Sequence, residues 1–165
     1  MRPSVYPCPL DWQRITHLAP LIVEEDKGEC RVSGLDPLQA LTFGAMDVYS
    51  KCVVRFDTDT PVGAFGMTTA GSIWSLWGKL TPRESFQVLH EMPRWVHDMV
   101  LYSTRTLHRP LLHNHVACSN ARAIAWLRLS KCFWIDPTEV DVRGVPHHYF
   151  ETLPLHLLQE RLAHV

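Results

Sequence analysis

Asn120-Ala121-Arg122-Ala123-Ile124-Ala125-Trp126-Leu127 decides the fold of this chain. The segment follows Leu111 to Cys118, which reads as a strand, and it leads into Lys131-Cys132-Phe133-Trp134. Asparagine suits the position before a first helical turn, because its side-chain oxygen accepts from an N–H two or three residues on. A helix from Asn120 through Ser130 follows. Beyond it, Phe133 to Val142 and Val145 to Leu153 are rich in β-branched and aromatic residues and flank Arg143-Gly144. That pattern predicts a closing hairpin. Pro154-Leu155 then opens a short C-terminal helix.

Upstream, Thr81-Pro82-Arg83-Glu84 has the form of a capping box, with proline at the first helical position. The helix it opens should run to about Thr106 with Phe86, Leu89 and Val96 inward, kinked at Pro93. Three short strands precede it: Cys52 to Asp57, Val62 to Thr68 and Ser72 to Trp77, separated by turns at Asp57–Pro61 and Ala70-Gly71. Before these, Asp11 should cap a helix to about Ile22 with Trp12, Ile15, Leu18 and Ile22 on one stripe, bent at Pro20. Glu24 to Gly28 reads as an acidic loop, and Asp36-Pro37 opens a second helix carrying Leu38, Leu41, Ala45 and Val48. Pro3, Pro7 and Pro9 punctuate the start. The element order is therefore α-α-β-β-β-α-β-α-β-β-α. A strand–helix–strand step implies a parallel crossover within an otherwise antiparallel sheet, and such a sheet splays where the parallel pair meets.

The Asn120–Leu127 segment with Phe133 resembles the N-x-x-A-I-x-x-Y…G-F stretch of the GNAT superfamily of N-acetyltransferases. The element order matches that fold too. The resemblance implies an α/β chain, a single domain over residues 1–165, with a mixed sheet of about six strands. That sheet is mostly antiparallel, with one parallel pair flanking a long helix. The resemblance also implies acetyl-coenzyme A as cofactor, with Leu76, Gly78, Lys79, Arg83 and Asn120 as the residues that contact it. Trp126-Leu127, His148-Tyr149-Phe150 and the stretch from Ser72 to Lys79 are similar to a narrower group. This group comprises small GNAT-like proteins of short-tailed bacteriophages, including the internal virion protein A type. That likeness implies residence in a virion or host cytoplasm, with a phage or host protein as partner.

Three departures bear on activity. The stretch Trp77-Gly78-Lys79-Leu80-Thr81-Pro82-Arg83 has one glycine where the superfamily has a glycine-rich pyrophosphate loop, and Pro82 removes a donor. Lys79 and Arg83 supply charge instead. Leu127 stands where many members carry a general-acid tyrosine, and leucine cannot protonate a thiolate. Lys131-Cys132 replaces the glycine before Phe133, which predicts a bent or lengthened helix end. Cofactor binding is accordingly expected to be weak or absent. Two functions follow, and these departures favour the first: a non-catalytic or weakly catalytic interaction protein associated with a virion, with an acyl-coenzyme A-dependent N-acyltransferase acting on a host amine or protein as the alternative.

Composition restricts the alternatives. The 165 residues carry 16 Lys plus Arg against 17 Asp plus Glu, too balanced for a nucleic-acid or anionic-membrane footprint. Five widely spaced cysteines without a C-x-x-C pair argue against a disulfide framework or a zinc–thiolate site, and no metal is expected. No apolar run is long enough for a membrane helix, and Met1-Arg2-Pro3-Ser4 lacks the pattern of a leader peptide. His113 and His115 share a strand face, with His147 or His148 as a conceivable third ligand; surface or hydrogen-bonded histidines are the simpler account. Cys118 beside His115 is a conceivable nucleophile, although buried inert cysteine is commoner. Glu24, Glu25 and Asp26 could supply a base or merely a solvated loop. Trp74 and Trp77 should lie on opposite strand faces, either exposed or covered by helices. The amphipathic Leu155–Leu162 could dock on a partner or on its own sheet, and a homo-oligomer is compatible with either.

Overall fold

A computed structural model of the chain describes residues 4–164; Met1 to Pro3, including the first of the punctuating prolines, and Val165 lie outside the described residues. The order is β1 (Val5–Cys8), α1 (Trp12–Leu18), α2 (Glu24–Val32), α3 (Pro37–Ala45), β2 (Tyr49–Arg55), β3 (Pro61–Met67), β4 (Ile73–Trp77), α4 (Pro82–Tyr102), β5 (His113–Ala117), α5 (Ala121–Ser130), β6 (Phe133–Val142), β7 (Val145–Thr152) and α6 (Leu155–Ala163). A 3₁₀ turn follows α1, and a π-helical turn over Ser103–Leu107 ends α4. The chain divides into two compact units, residues 1–68 with 74–88 and residues 69–73 with 89–165.

The first unit is built on the sheet β1-β2-β3-β4. Strand β1 was not anticipated, because Pro7 and Pro9 flag a loop and the strand has only four residues. Proline is tolerated on an edge strand. Gln87 secures this edge: its Oε1 accepts from the N–H groups of Ser4 (2.6 Å) and Val5 (3.2 Å), and its Nε2 donates to Val5 O. Leu18, Ile22, Leu41, Val54 and Leu76 form the apolar centre. Asp11 caps α1 as expected, its side chain accepting from the Arg14 N–H at 2.9 Å, and the α-helix stops before Pro20. Trp12, however, is exposed.

The expected loop at Glu24 is instead the first turn of α2. Three acidic residues there favour the positive end of the helix dipole, and Lys27 bonds back to Glu24 at 2.8 Å. Helix α3 has a complete capping box between Asp36 and Gln39. The tryptophans of β4 are covered from within their own unit. Trp77 lies against Gly63, and Trp74 lies against Gly44 and Gly66 while its indole N–H donates to Asp47 at 2.8 Å.

The second unit holds the sheet β5-β7-β6. Both sheets are antiparallel, four and three strands, so the expected six-stranded sheet with a parallel pair is replaced by this division. A lone parallel bridge joins Ser72 to His113. The β6–β7 hairpin turns at Arg143-Gly144 as predicted, both with positive φ (53° and 81°), as a two-residue type I′ turn requires. Lys131 sits in the left-handed region at φ 56°, the position where the superfamily pattern has glycine. Phe86 is exposed rather than inward, and Leu158 of α6 is fully buried, so this side chain is not presented to a partner.

Asn120 caps α5: its Oδ1 accepts from the Ala123 N–H at 3.1 Å. Asn120→Ala should therefore cost ~1 kcal/mol, read as a shift in urea midpoint at constant slope. An unchanged midpoint would remove the cap from the account of this helix.

Candidate functional site

Each residue implied as a cofactor contact is placed by local structure. Leu76 turns its side chain into the core of the first unit, so its backbone is what a ligand can meet. Gly78 is clamped: its N–H donates to Val62 O at 2.8 Å, it bridges to Ile22, and a Cβ would press on Leu21 O at 3.2 Å. Lys79 and Arg83 are exposed at the entry to α4. Asn120, in the second unit, is buried and uses its side-chain oxygen on the α5 cap. The structure thus groups Leu76, Gly78, Lys79 and Arg83 in one unit and Asn120 in the other.

The donors at the start of α4 can be counted. The Thr81 N–H donates to Glu84 Oε2 (2.8 Å) and the Glu84 N–H to Thr81 Oγ1 (3.2 Å), so the expected capping box forms. Pro82 has no N–H. Among the described residues, the amides of Lys79, Leu80 and Arg83 remain for an anion, beside two cationic side chains and the helix dipole.

Sequence reasoning missed the ion pair at this end. Glu84 is buried, and Arg55 Nε donates to its Oε1 at 2.7 Å. Burial alone would raise the Glu84 carboxyl; the hydrogen bonds from Arg55 and Thr81 hold it below its ordinary value. Its negative charge competes with any phosphate, although Arg55 offsets much of it. Glu84→Ala should cost ~2–3 kcal/mol near neutral pH, since it removes a cap and strands a partly buried guanidinium. The folded carboxyl lies below its unfolded value, so this contribution is complete above the unfolded value. It fades as pH falls through the folded one. Urea unfolding across the acid range should show the wild-type and variant curves converging; a constant gap would exclude ionised Glu84 as the source.

The acidic candidates separate. Asp26 is buried and accepts from the Trp77 N–H at 2.7 Å, so it anchors α2 to β4. Glu24 and Glu25 are exposed. The buried thiols are inert: burial pushes Cys30 and Cys132 up to about 11. Burial, then Glu139, also raise Cys118, which disfavours the thiolate a nucleophile needs.

The second unit carries an unanticipated cluster. Register pairs His115 with Tyr149 and His113 with Glu151 across β5 and β7, placing all four on one face. Trp134, paired with Glu151 from β6, joins them. Ring centroids lie 5.5 Å apart for His115–Tyr149 and 6.5 Å for Trp134–Tyr149. The Tyr149 hydroxyl donates to Glu151 Oε2 at 3.1 Å; burial and then this carboxylate raise the phenol above its ordinary value. Burial lowers His115, with further lowering from His147 and His113. This face therefore pairs a neutral imidazole with a protonated phenol at neutral pH. The two-residue spacing of His113 and His115 was visible in the sequence; the opposing tyrosine depended on the register of β7. The histidine ligand set that the sequence left conceivable does not form: His147 bonds through Nδ1 with Val145 O (2.8 Å), and among the described residues His113, His115 and His147 do not converge as ligands. No described helix is long and apolar enough to cross a membrane.

No protein-family profile and no curated protein matches the sequence. Solved structures do. A GNAT-family acetyltransferase from Bacillus anthracis is 6% identical with a TM-score of 0.60, covering 93% of this chain and 96% of that one. An acetyltransferase from Agrobacterium tumefaciens is 11% identical, TM-score 0.60, covering 91% and 92%. The spermidine N-acetyltransferase of Vibrio cholerae, solved with CoA and spermine, is 11% identical, TM-score 0.55, covering 96% and 99%; another structure of that enzyme is dodecameric. At these identities the likeness is one of fold: this chain has the GNAT fold over nearly its whole length. The matches do not support the narrower likeness to phage virion proteins.

Proposed function

We propose that the chain is an acyl-coenzyme A-dependent N-acyltransferase acting on an amine. The observation that carries this reading is the fold shared with acetyltransferases along more than nine-tenths of both chains. The residues at the start of α4 fit the cofactor's phosphates: the Lys79, Leu80 and Arg83 amides and the Lys79 and Arg83 side chains would hold them, with the Leu76 backbone as a further contact in the same unit. When bound, the thioester supplies the acyl group. His115, neutral at physiological pH, is suited to take a proton from the acceptor ammonium. Tyr149 holds a proton that Leu127 could not supply.

The narrower bacteriophage reading, with a virion or host-protein contact as its role, rests on sequence pattern, and Leu158 of the amphipathic tail is buried. The enzyme reading is preferred. The dodecameric relative in fold supports proposing a homo-oligomer with it.

Calorimetry should give acetyl-coenzyme A binding at about tens of micromolar, weakened by the short donor set and by Glu84. Free thiol should then appear on adding an amine such as spermidine or a lysine peptide. Failure to bind at ~1 mM cofactor, where a 1 mM Kd would still register, would overturn the proposal.

A further inference from the structure

Strand β7 is central in its sheet, and this brings three unlike donors together that no sequence spacing connects. His148 pairs with Val116 of β5 on one side and with Glu139 of β6 on the other. Cys118 lies two residues beyond Val116, and its N–H donates to Pro146 O at 2.9 Å, which continues the pairing past the end of β5. Cys118, His148 and Glu139 thus share one face, opposite the one bearing Tyr149. On β6 a register shift between Ile135 and Glu139 sets which residue faces His148. The Thr138 N–H donates to Asp136 Oδ1 at 2.9 Å within that irregular stretch.

The donor atoms of Cys118, Glu139 and His148 lie within 4.8 Å of one another. The Nδ1 of His148 is buried without any hydrogen-bond partner. A buried polar atom left unpaired costs free energy, and a bound ion or water is one of the partners that relieve it. His148 also lines a cleft of about 310 Å³ with Arg128, Phe133 and Asp136.

We propose that Cys118, Glu139 and His148 bind one divalent transition-metal ion of the zinc class. Sulfur, nitrogen and carboxylate oxygen are the zinc donor set, and three protein ligands with an open fourth position is a known arrangement for that ion. A thiolate ligand disfavours magnesium and calcium. Tetrahedral bonds near the usual lengths would draw the donors to about 3.5 Å separation. That requires an adjustment of the exposed Glu139 side chain and of Cys118, which lies past its strand. On binding, the Cys118 thiol gives its proton to solvent, a sulfur–metal bond forms, and no oxidation occurs. The ion ties β5, β7 and β6 together. The site is independent of the acyl-transfer reading.

The test uses the full chain after chelator treatment, titrated with Co²⁺ as a spectroscopic probe and then with Zn²⁺. Co²⁺ should bind with one equivalent and develop a near-ultraviolet sulfur-to-cobalt charge-transfer band. Zn²⁺ should displace it and slow alkylation of Cys118 by iodoacetamide at least ~10-fold, as a bound ion withdraws the thiolate. Cys118→Ser should abolish the band, and His148→Ala should weaken Zn²⁺ by ~100-fold or more, given that loss of an outer partner alone reaches 10–100-fold. Glu139→Gln, on an exposed side chain, keeps the fold and should weaken binding in the same direction. A band that survives in Cys118→Ser, binding without any such band, or alkylation unaffected by Zn²⁺ would overturn the assignment.

Discussion

Replacing His115 by glutamine should lower kcat for amine acetylation by ~10²–10⁴-fold, the range carried by a positioned acid or base. Stability should change by less than about 0.5 kcal/mol, because the side chain, although partly desolvated by its neighbours, stays largely open to solvent. The pH profile separates a chemical role from a structural one. Burial, His147 and His113 all lower the His115 imidazole below its ordinary value, so it is already neutral at physiological pH. The acid limb of kcat/KM should therefore lie below the normal histidine range and vanish in His115→Gln. Removing the neighbouring imidazole in His113→Gln should move the limb upward, toward the ordinary value. Tyr149→Phe, which deletes the hydroxyl bonded to Glu151, should lower kcat while leaving the acid limb in place. Cofactor binding that persists in His115→Gln with an unmoved acid limb would exclude His115 as the base and leave the donor site standing.

Gly66→Ala should destabilise the first unit by ~3 kcal/mol, the upper range for overpacking. For a chain of this length that corresponds to a fall of roughly 6–12 °C in Tm. A Cβ at this position would run into the Tyr49 carbonyl, a backbone atom of the paired strand, and would sit 2.7 Å from the Trp74 ring. Neither neighbour can move freely: Tyr49 is held in the β2–β3 ladder, and Trp74 is fixed by its bond to Asp47. Gly28→Ala is the counterpart. Gly28 lies in α2 with its nearest obstruction 3.9 Å away at the flexible end of Arg31, so alanine should stabilise by ~1 kcal/mol. A loss in Gly66→Ala no larger than the gain in Gly28→Ala would show that the glycine–tryptophan contact is loose.

The candidate site was legible in part. Lys79, Arg83 and Asn120 stand at helix starts marked by capping residues, and the structure puts those starts where the pattern predicts. The opposition of His115 to Tyr149 was not legible, because a one-residue slip between β5 and β7 would turn the two rings to opposite faces. The acidic run at Glu24 was misread for a related reason. Its charge suggests a loop, whereas in α2 the acidic residues lie at the positive end of the helix and Asp26 accepts from the Trp77 N–H far along the chain.

By itself the sequence determined what is closed within about four residues: the Asp11, Asp36, Thr81–Glu84 and Asn120 caps and the Arg143-Gly144 turn. In these, donor and acceptor are near in the chain and the geometry of one turn brings them together. Tertiary structure alone decided the edge strand held by Gln87, the seating of Trp74 and Trp77 on glycines, and the Arg55–Glu84 pair. It also decided the meeting of Cys118, Glu139 and His148. Those contacts join residues remote in sequence, and their partners depend on strand register and on which faces apolar burial turns inward.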